Sequence, residues 1–409
     1  MRLRHLLLPL LVVACGSADT GDDAEGGDDA ITSNDAQIVD FTFDGEVIAA
    51  KETDTRKAII DQLFYTVGIL TTNFNANGQV GRVTLSNVQP SVNGATQTIK
   101  YHAVTPVAWP KGQKVPKTQA MTLPHDATKL DAFNAKYDGK CGKNEYGQDT
   151  FWHDWNPLAD GCTPDAADVF KSTAKVTKDK TVTTGKYPEY DLVWADNAFN
   201  VVALFGESDG GAQGDAGVAE YESFLEQAKA AVPNAQTKEN AKTASVLRDV
   251  TISGDSVTIT ALLIDTLYTA GPDFDTRYDP LSEKADMVIY NGHSELSKNT
   301  NALARKGKVD AKQYQIFFFD SCDTYAYLDT SLTDRRKQVN PDDPKGTKYL
   351  DVATNVLPSY FSNYANSSMT LVKALIAKST PKTYNEILSE LPSDQVVVVS
   401  GEEDNAFQP

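Results

Sequence analysis

Cysteine, methionine and histidine are scarce in this chain of 409 residues, which holds four, four and five of them. Basic residues are also few, 38 Lys and Arg against 56 Asp and Glu, for a formal charge of −18. A nucleic-acid binder needs a basic face to displace counterions, so that class is excluded. Beyond the first fifteen residues no stretch is long and apolar enough to cross a bilayer as a helix, which takes about 20 residues. No internal repeat is visible. The glycine-rich turn "FGESDGG" at 205 to 211 lacks the Gly-Lys-Ser/Thr of a phosphate-binding loop, and "NPDDPKG" and "GEEDN" lack the calcium-loop spacing. His153 and Asp154 in "FWHDW" have no second His or Cys at ligand spacing, so this aromatic cluster reads as packing; no metal and no cofactor is expected.

What is present is enough apolar sequence, 41%, for two cores, and a length too great for one. The opening "MRLRHLLLPLLVVAC" has a basic start at Arg2 and Arg4 and an apolar stretch from Leu6 to Ala14, too short to span a membrane. Val12-Val13-Ala14-Cys15 resembles a bacterial lipobox, which implies a lipidated Cys15 and a membrane anchor through that lipid. The acidic "GSADTGDDAEGGDDA" that follows suits a flexible tether, assigned to residues 16–35 after a signal peptide at 1–15. In such an exported, oxidising setting Cys141 and Cys162 are expected to form a disulfide. Cys322 is then left over, a thiol either buried and inert or reactive.

Residues 36–188 read as an α+β domain. "TRKAIIDQLF" has helical spacing, whereas "YTVGILTTNF", "GRVTLSNV" and "TQTIKYHAV" are β-branched runs separated by turn signals and are expected to form a meander. "DATKLDAFNAKY" predicts a helix with Asp126 as its N-cap, and "TFWHDWNPLADGC" a stapled loop. From residue 189 to 409 the rhythm changes. Apolar runs ("FNVVALFG", "ADMVIYNG", "YQIFFFDS", "DQVVVVSG") alternate with helical segments, and Gly254-Asp255 marks a hairpin or edge extension. That pattern predicts a three-layer α/β domain with a mostly parallel sheet.

Two of these runs end at reactive side chains, "YNGHS" at His293 and "FFFDSC" at Cys322. The 29 positions between them leave room for a right-handed crossover between parallel neighbours. Paired strands would put their tips about 4.8 Å apart, within reach for a thiol and an imidazole to share a proton. Among residues 190 to 409 these are the only histidine and the only cysteine. A buried structural cysteine and a loop histidine bonded to backbone would give the same pattern.

An apolar strand ending in Gly-His, then an apolar strand ending in a small residue and Cys, resembles the caspase, legumain and gingipain group of cysteine peptidases across roughly residues 195 to 400. The resemblance implies a caspase-like fold, His293 as general base and acid, Cys322 as nucleophile, and peptide or protein as substrate. It also implies an oxyanion hole from the backbone N–H groups of Cys322 and Ser294, with Gly292 beside them. The family has Gly after the His and Ala before the Cys, where this chain has Ser294 and Ser321. Glu207 and Asp209, in the glycine-rich turn, and Asp323 are candidates for substrate binding. Asp351 and Asn355 are placed at the same sheet edge or in a polar loop cap. The expected protein is thus a membrane-anchored cysteine endopeptidase of the bacterial envelope. The other reading is a non-enzymatic binding or surface protein on the same anchor.

Overall fold

The computed structural model describes residues 31–144, 148–178 and 185–409. The expected signal segment, Cys15 and residues 16–30 of the expected tether lie outside these residues. The protein is mixed α/β, with an antiparallel sheet in its N-terminal part and a nine-stranded mixed sheet with a parallel core in its C-terminal part. The first sheet runs in the order Asn77–Gly78, Thr96–Pro110, Ala36–Ala50, Val169–Lys178, Thr118–Pro124, with Thr84–Asn93 also paired to Thr96–Pro110.

The second sheet runs Ile31–Ser33, Val397–Ser400, Leu350–Asn355, Gln315–Asp320, Met287–Asn291, Phe199–Gly206, Val257–Ile264, Arg248–Ser253, Gln236–Glu239. Its central pairings are parallel and its margins antiparallel. Alternate residues of the central strands serve opposite faces. Val201, Ala203 and Phe205 pack with Tyr221 and Phe224 of the helix Ala216–Ala231 and Met369 of Tyr364–Ile376. Val202 and Leu204 pack with Phe274, Leu303 and Leu332 from three other helices. Helices on both faces leave no solvated side, which is why these strands read as unbroken apolar runs.

Three expectations change. "YTVGILTTNF" is not a strand but the helix Tyr65–Phe74, closed by Asn75 in the left-handed conformation (φ 49°). Residues 65 to 70 are all buried and span more than a full turn, so this stretch shows no polar face to give a helical period. The expected tether ends early, because Ile31–Ser33 pairs with Val397–Ser400 at the margin of the C-terminal sheet. Gly254-Asp255 does turn a hairpin, but its second arm, Val257–Ile264, is itself a core strand parallel to Phe199–Gly206.

The two parts share packing. Ala326 and Tyr327, just after the candidate cysteine, belong to the N-terminal hydrophobic core. A Cβ on Gly81 would overlap the Leu328 carbonyl, so glycine allows this backbone approach.

Candidate functional site

The strands ending before His293 and Cys322 are parallel neighbours, with Asn291 opposite Asp320. Each candidate lies two residues past that paired level, so both leave the sheet at the same height. Ser321 Oγ ties the two strand ends together by donating to the Gly292 carbonyl at 2.6 Å, and the Tyr364 hydroxyl donates to the same oxygen at 3.1 Å. The His293 carbonyl accepts from the Tyr290 hydroxyl (2.7 Å) and from Asn299 Nδ2 (2.8 Å). The histidine turn is therefore fixed by side chains of its own strand and of the following helix.

The imidazole faces the Phe361 ring, with centroids 4.9 Å apart, and its Nε2 lies 3.2 Å from the Ser208 carbonyl. A carbonyl can only accept, so Nε2 carries the hydrogen and, in the neutral ring, Nδ1 holds the basic lone pair. Ser208 is itself fixed. Its N–H, together with those of Asp209, Gly211 and Val218, donates to the carboxylate of Asp215, the N-cap of Ala216–Ala231. Burial works against this charge, but the hydrogen bonds prevail and hold the Asp215 carboxyl well below the usual range. An internal anion thus occupies the N–H groups of the glycine-rich turn, which fits the lack of a phosphate-loop motif.

Cys322 is partly buried and its Sγ lies 3.5 Å from the Ser359 carbonyl. Burial first, and the charge of Asp323 second, push the thiol up to about 11. Beneath it Asp320 is fully buried and accepts from Asn355 Nδ2, Ser359 Oγ and Gln395 Nε2 at 2.7 to 3.0 Å. Burial outweighs these bonds and raises Asp320 to about 7.

His293 and Cys322 line one cleft of about 430 Å³. Its walls also include Ser294, Glu295, Leu296 and Lys298 from the histidine turn, Asp323 and Tyr327 after the cysteine, Pro358, and Thr150 and His153 from the N-terminal part. Glu295, Leu296 and Ser297 have φ of 49°, 47° and 91°, a run of left-handed non-glycine residues of the kind that costs energy and clusters at functional sites.

The remaining candidates separate. Ser294 lines the cleft, whereas Gly292 is drawn back into the bonds between the strand ends. Glu207 and Asp209 do not line it; burial and the nearby Asp215 and Asp265 raise the Glu207 carboxyl. Asp323 borders the cleft, but its carboxylate is buried against Asn77 and His153 and is not presented to a substrate. Asp351 and Asn355 do not share an edge. Asn355 ends its strand beside Asp320, while Asp351 lies near the strand's opposite end, bonded to Tyr314, Tyr384 and Asn405.

The expected Cys141–Cys162 disulfide is present. Next to it, His153 is more than packing. Its Nδ1 faces Asp154 and its Nε2 faces Asp323, each at 3.3 Å. Burial disfavours the cation, but the two carboxylates outweigh it and raise His153 to about 9. With both nitrogens engaged, this imidazole is a charged strut and not a base for the thiol. No protein-family model matches the chain, and no curated protein matches it in sequence.

Proposed function

We propose that this protein is a membrane-anchored cysteine endopeptidase, or descends from one, with a three-layer caspase-like domain over residues 189–409. The observation that carries this reading is the shared cleft, into which adjacent parallel strands deliver Cys322 and His293. The proton of Cys322 Sγ passes to His293 Nδ1 as the sulfur attacks the scissile carbonyl carbon and forms a C–S bond. The oxyanion is received by the N–H groups of Cys322 and Ser294. His293 then protonates the leaving amine as the C–N bond breaks, leaving an acyl-enzyme. Water, deprotonated by His293, releases the acid and restores the thiol. A thiol at about 11 is neutral before substrate arrives, so proton transfer accompanies attack.

The reading extends to the rest of the chain. Lipid on Cys15 would hold the protein to the bacterial envelope by its N-terminus, with peptides or proteins as substrates and residues 36–188 as a second domain.

The test is cleavage of a mixed peptide library by the mature chain, read by mass spectrometry. Replacing Cys322→Ala or His293→Ala should each lower the rate at least about a hundredfold. One observation favours the alternative of a non-enzymatic binding protein, namely the burial that suppresses thiol ionisation. Absence of cleavage, with a thiol that iodoacetamide reaches only after denaturation, would establish that alternative.

A further inference from the structure

The residue after Cys322 is held from the other half of the protein. Asp323 is fully buried and left-handed (φ 54°), so the cysteine turn rests on a conformation that its surroundings must enforce. One carboxylate oxygen accepts from Asn77 Nδ2 at 3.1 Å, and the other faces His153 Nε2 at 3.3 Å. Both partners come from the antiparallel part, Asn77 from its margin strand and His153 from the disulfide-bounded loop. Asn77 Nδ2 also donates to the Val356 carbonyl at 3.0 Å. It thereby ties the cysteine turn to the segment that carries Ser359, whose carbonyl meets Cys322 Sγ. A buried carboxylate that loses its cation and donor is costly, so the turn cannot keep this geometry without them.

We propose that Asn77 and His153 are positioning residues for Cys322, acting through Asp323, so that the antiparallel part is a permanent half of the cleft and not a segment to be removed before it works. The inference rests on the reading of the cleft as a thiol site, but not on peptide hydrolysis. Among the described residues, the groups facing His153 include Asp154 on its own segment and Asp323 on the cysteine turn, with Glu295, Lys298 and His293 in the same cleft.

The test is iodoacetamide modification of Cys322 in the full chain between pH 6 and 10.5, followed by intact mass. In the native protein the rate should still be climbing at pH 10. Asn77→Ala and His153→Ala should release the turn and return the thiol toward its ordinary value of about 8.5, giving a rate plateau near pH 9.5 and at least a tenfold faster reaction at pH 8. His153→Gln, which keeps a donor for Asp323, should fall between. Ile252→Ala, in a strand remote from the cleft, should lower the melting temperature and leave the profile alone. Folded Asn77→Ala and His153→Ala proteins with the native profile, or with the thiol moved further up as the charge of Asp323 alone would move it, would overturn the proposal. If either fails to fold, the milder Asn77→Ser and His153→Gln decide by the same criterion. Peptide cleavage measured in parallel separates the two ideas: a shifted profile in a chain that never cleaves peptide removes the peptidase and keeps the positioning, and an unmoved profile in an active chain does the reverse.

Discussion

Ser208 acts through an atom that every residue owns, its carbonyl oxygen, so no side-chain pattern announces it. That His293 and Cys322 leave neighbouring strand ends was legible, because each stops an apolar run that must be a buried strand. His153 was visible as an aromatic-flanked histidine but not as a wall of the cleft, since its partner Asp323 is 170 positions away in sequence. Asp351 and Asn355 were misplaced for a simple reason. Four residues of extended chain carry them to opposite ends of one strand, and the sequence alone does not say where that strand begins. The Ser208 carbonyl depends in turn on Asp215, which suggests a direct test. Asp215→Ala removes the helix cap and leaves several N–H groups without their acceptor, so it should cost about 1 to 2 kcal/mol in urea unfolding. It should also slow any peptide cleavage, because His293 loses the fixed oxygen that sets its tautomer. Unchanged stability would mean that the turn holds itself.

The apolar runs of the parallel core, such as Phe199–Gly206, Met287–Asn291 and Gln315–Asp320, were legible as strands, whereas the helix Tyr65–Phe74, whose first six residues are all buried, was not legible as a helix. Tyr65–Phe74 is rich in β-branched residues and packs through Gly68, where a Cβ would crowd the carbonyl oxygens of Trp152, His153 and Trp155. Tertiary packing overrides propensity in such a segment. The same contact sets the height of the loop bearing His153, and the disulfide closes that loop across 21 positions. In the chain-entropy account, a closure of this length is worth about 3 kcal/mol. Replacing Cys141 and Cys162 together by serine should therefore lower the unfolding free energy by about that amount, as measured by denaturant titration. Iodoacetamide should also reach Cys322 faster, because Thr150 and His153 form the wall that the bridge secures. An equal loss of stability with no change at Cys322 would show that the loop and the cysteine turn are independent.

At the scale of the molecule, the change of rhythm from an antiparallel to an α/β sheet was legible, but the interlocking of the two parts was not. Ile31–Ser33 reaches into the far sheet, and Ala326 and Tyr327 enter the near core, through contacts between residues hundreds of positions apart. This interlocked structure buries several carboxyls whose shifts act in one direction. Burial raises Asp320 and Asp286 to about 7 and Asp351 to about 6, whereas in an unfolded chain they titrate near 3.9. Between about pH 4 and 7 the folded state therefore holds more protons than the unfolded, and stability falls as pH rises through that window. His153 extends the decline. Its cation is opposed by burial but favoured more by Asp154 and Asp323, and the stability that it contributes is complete below about pH 6.5 and lost by about pH 9. Carboxyls held low, such as those of Asp215 and Asp168, contribute above about pH 4 and are lost only below it. Thermal unfolding should accordingly give a higher Tm at pH 5.5 than at pH 8.5, with His153→Gln flattening the upper part of the curve and Asp320→Asn the lower. A Tm that climbs from pH 5.5 to 8.5 would show that these buried groups do not govern the stability of the protein.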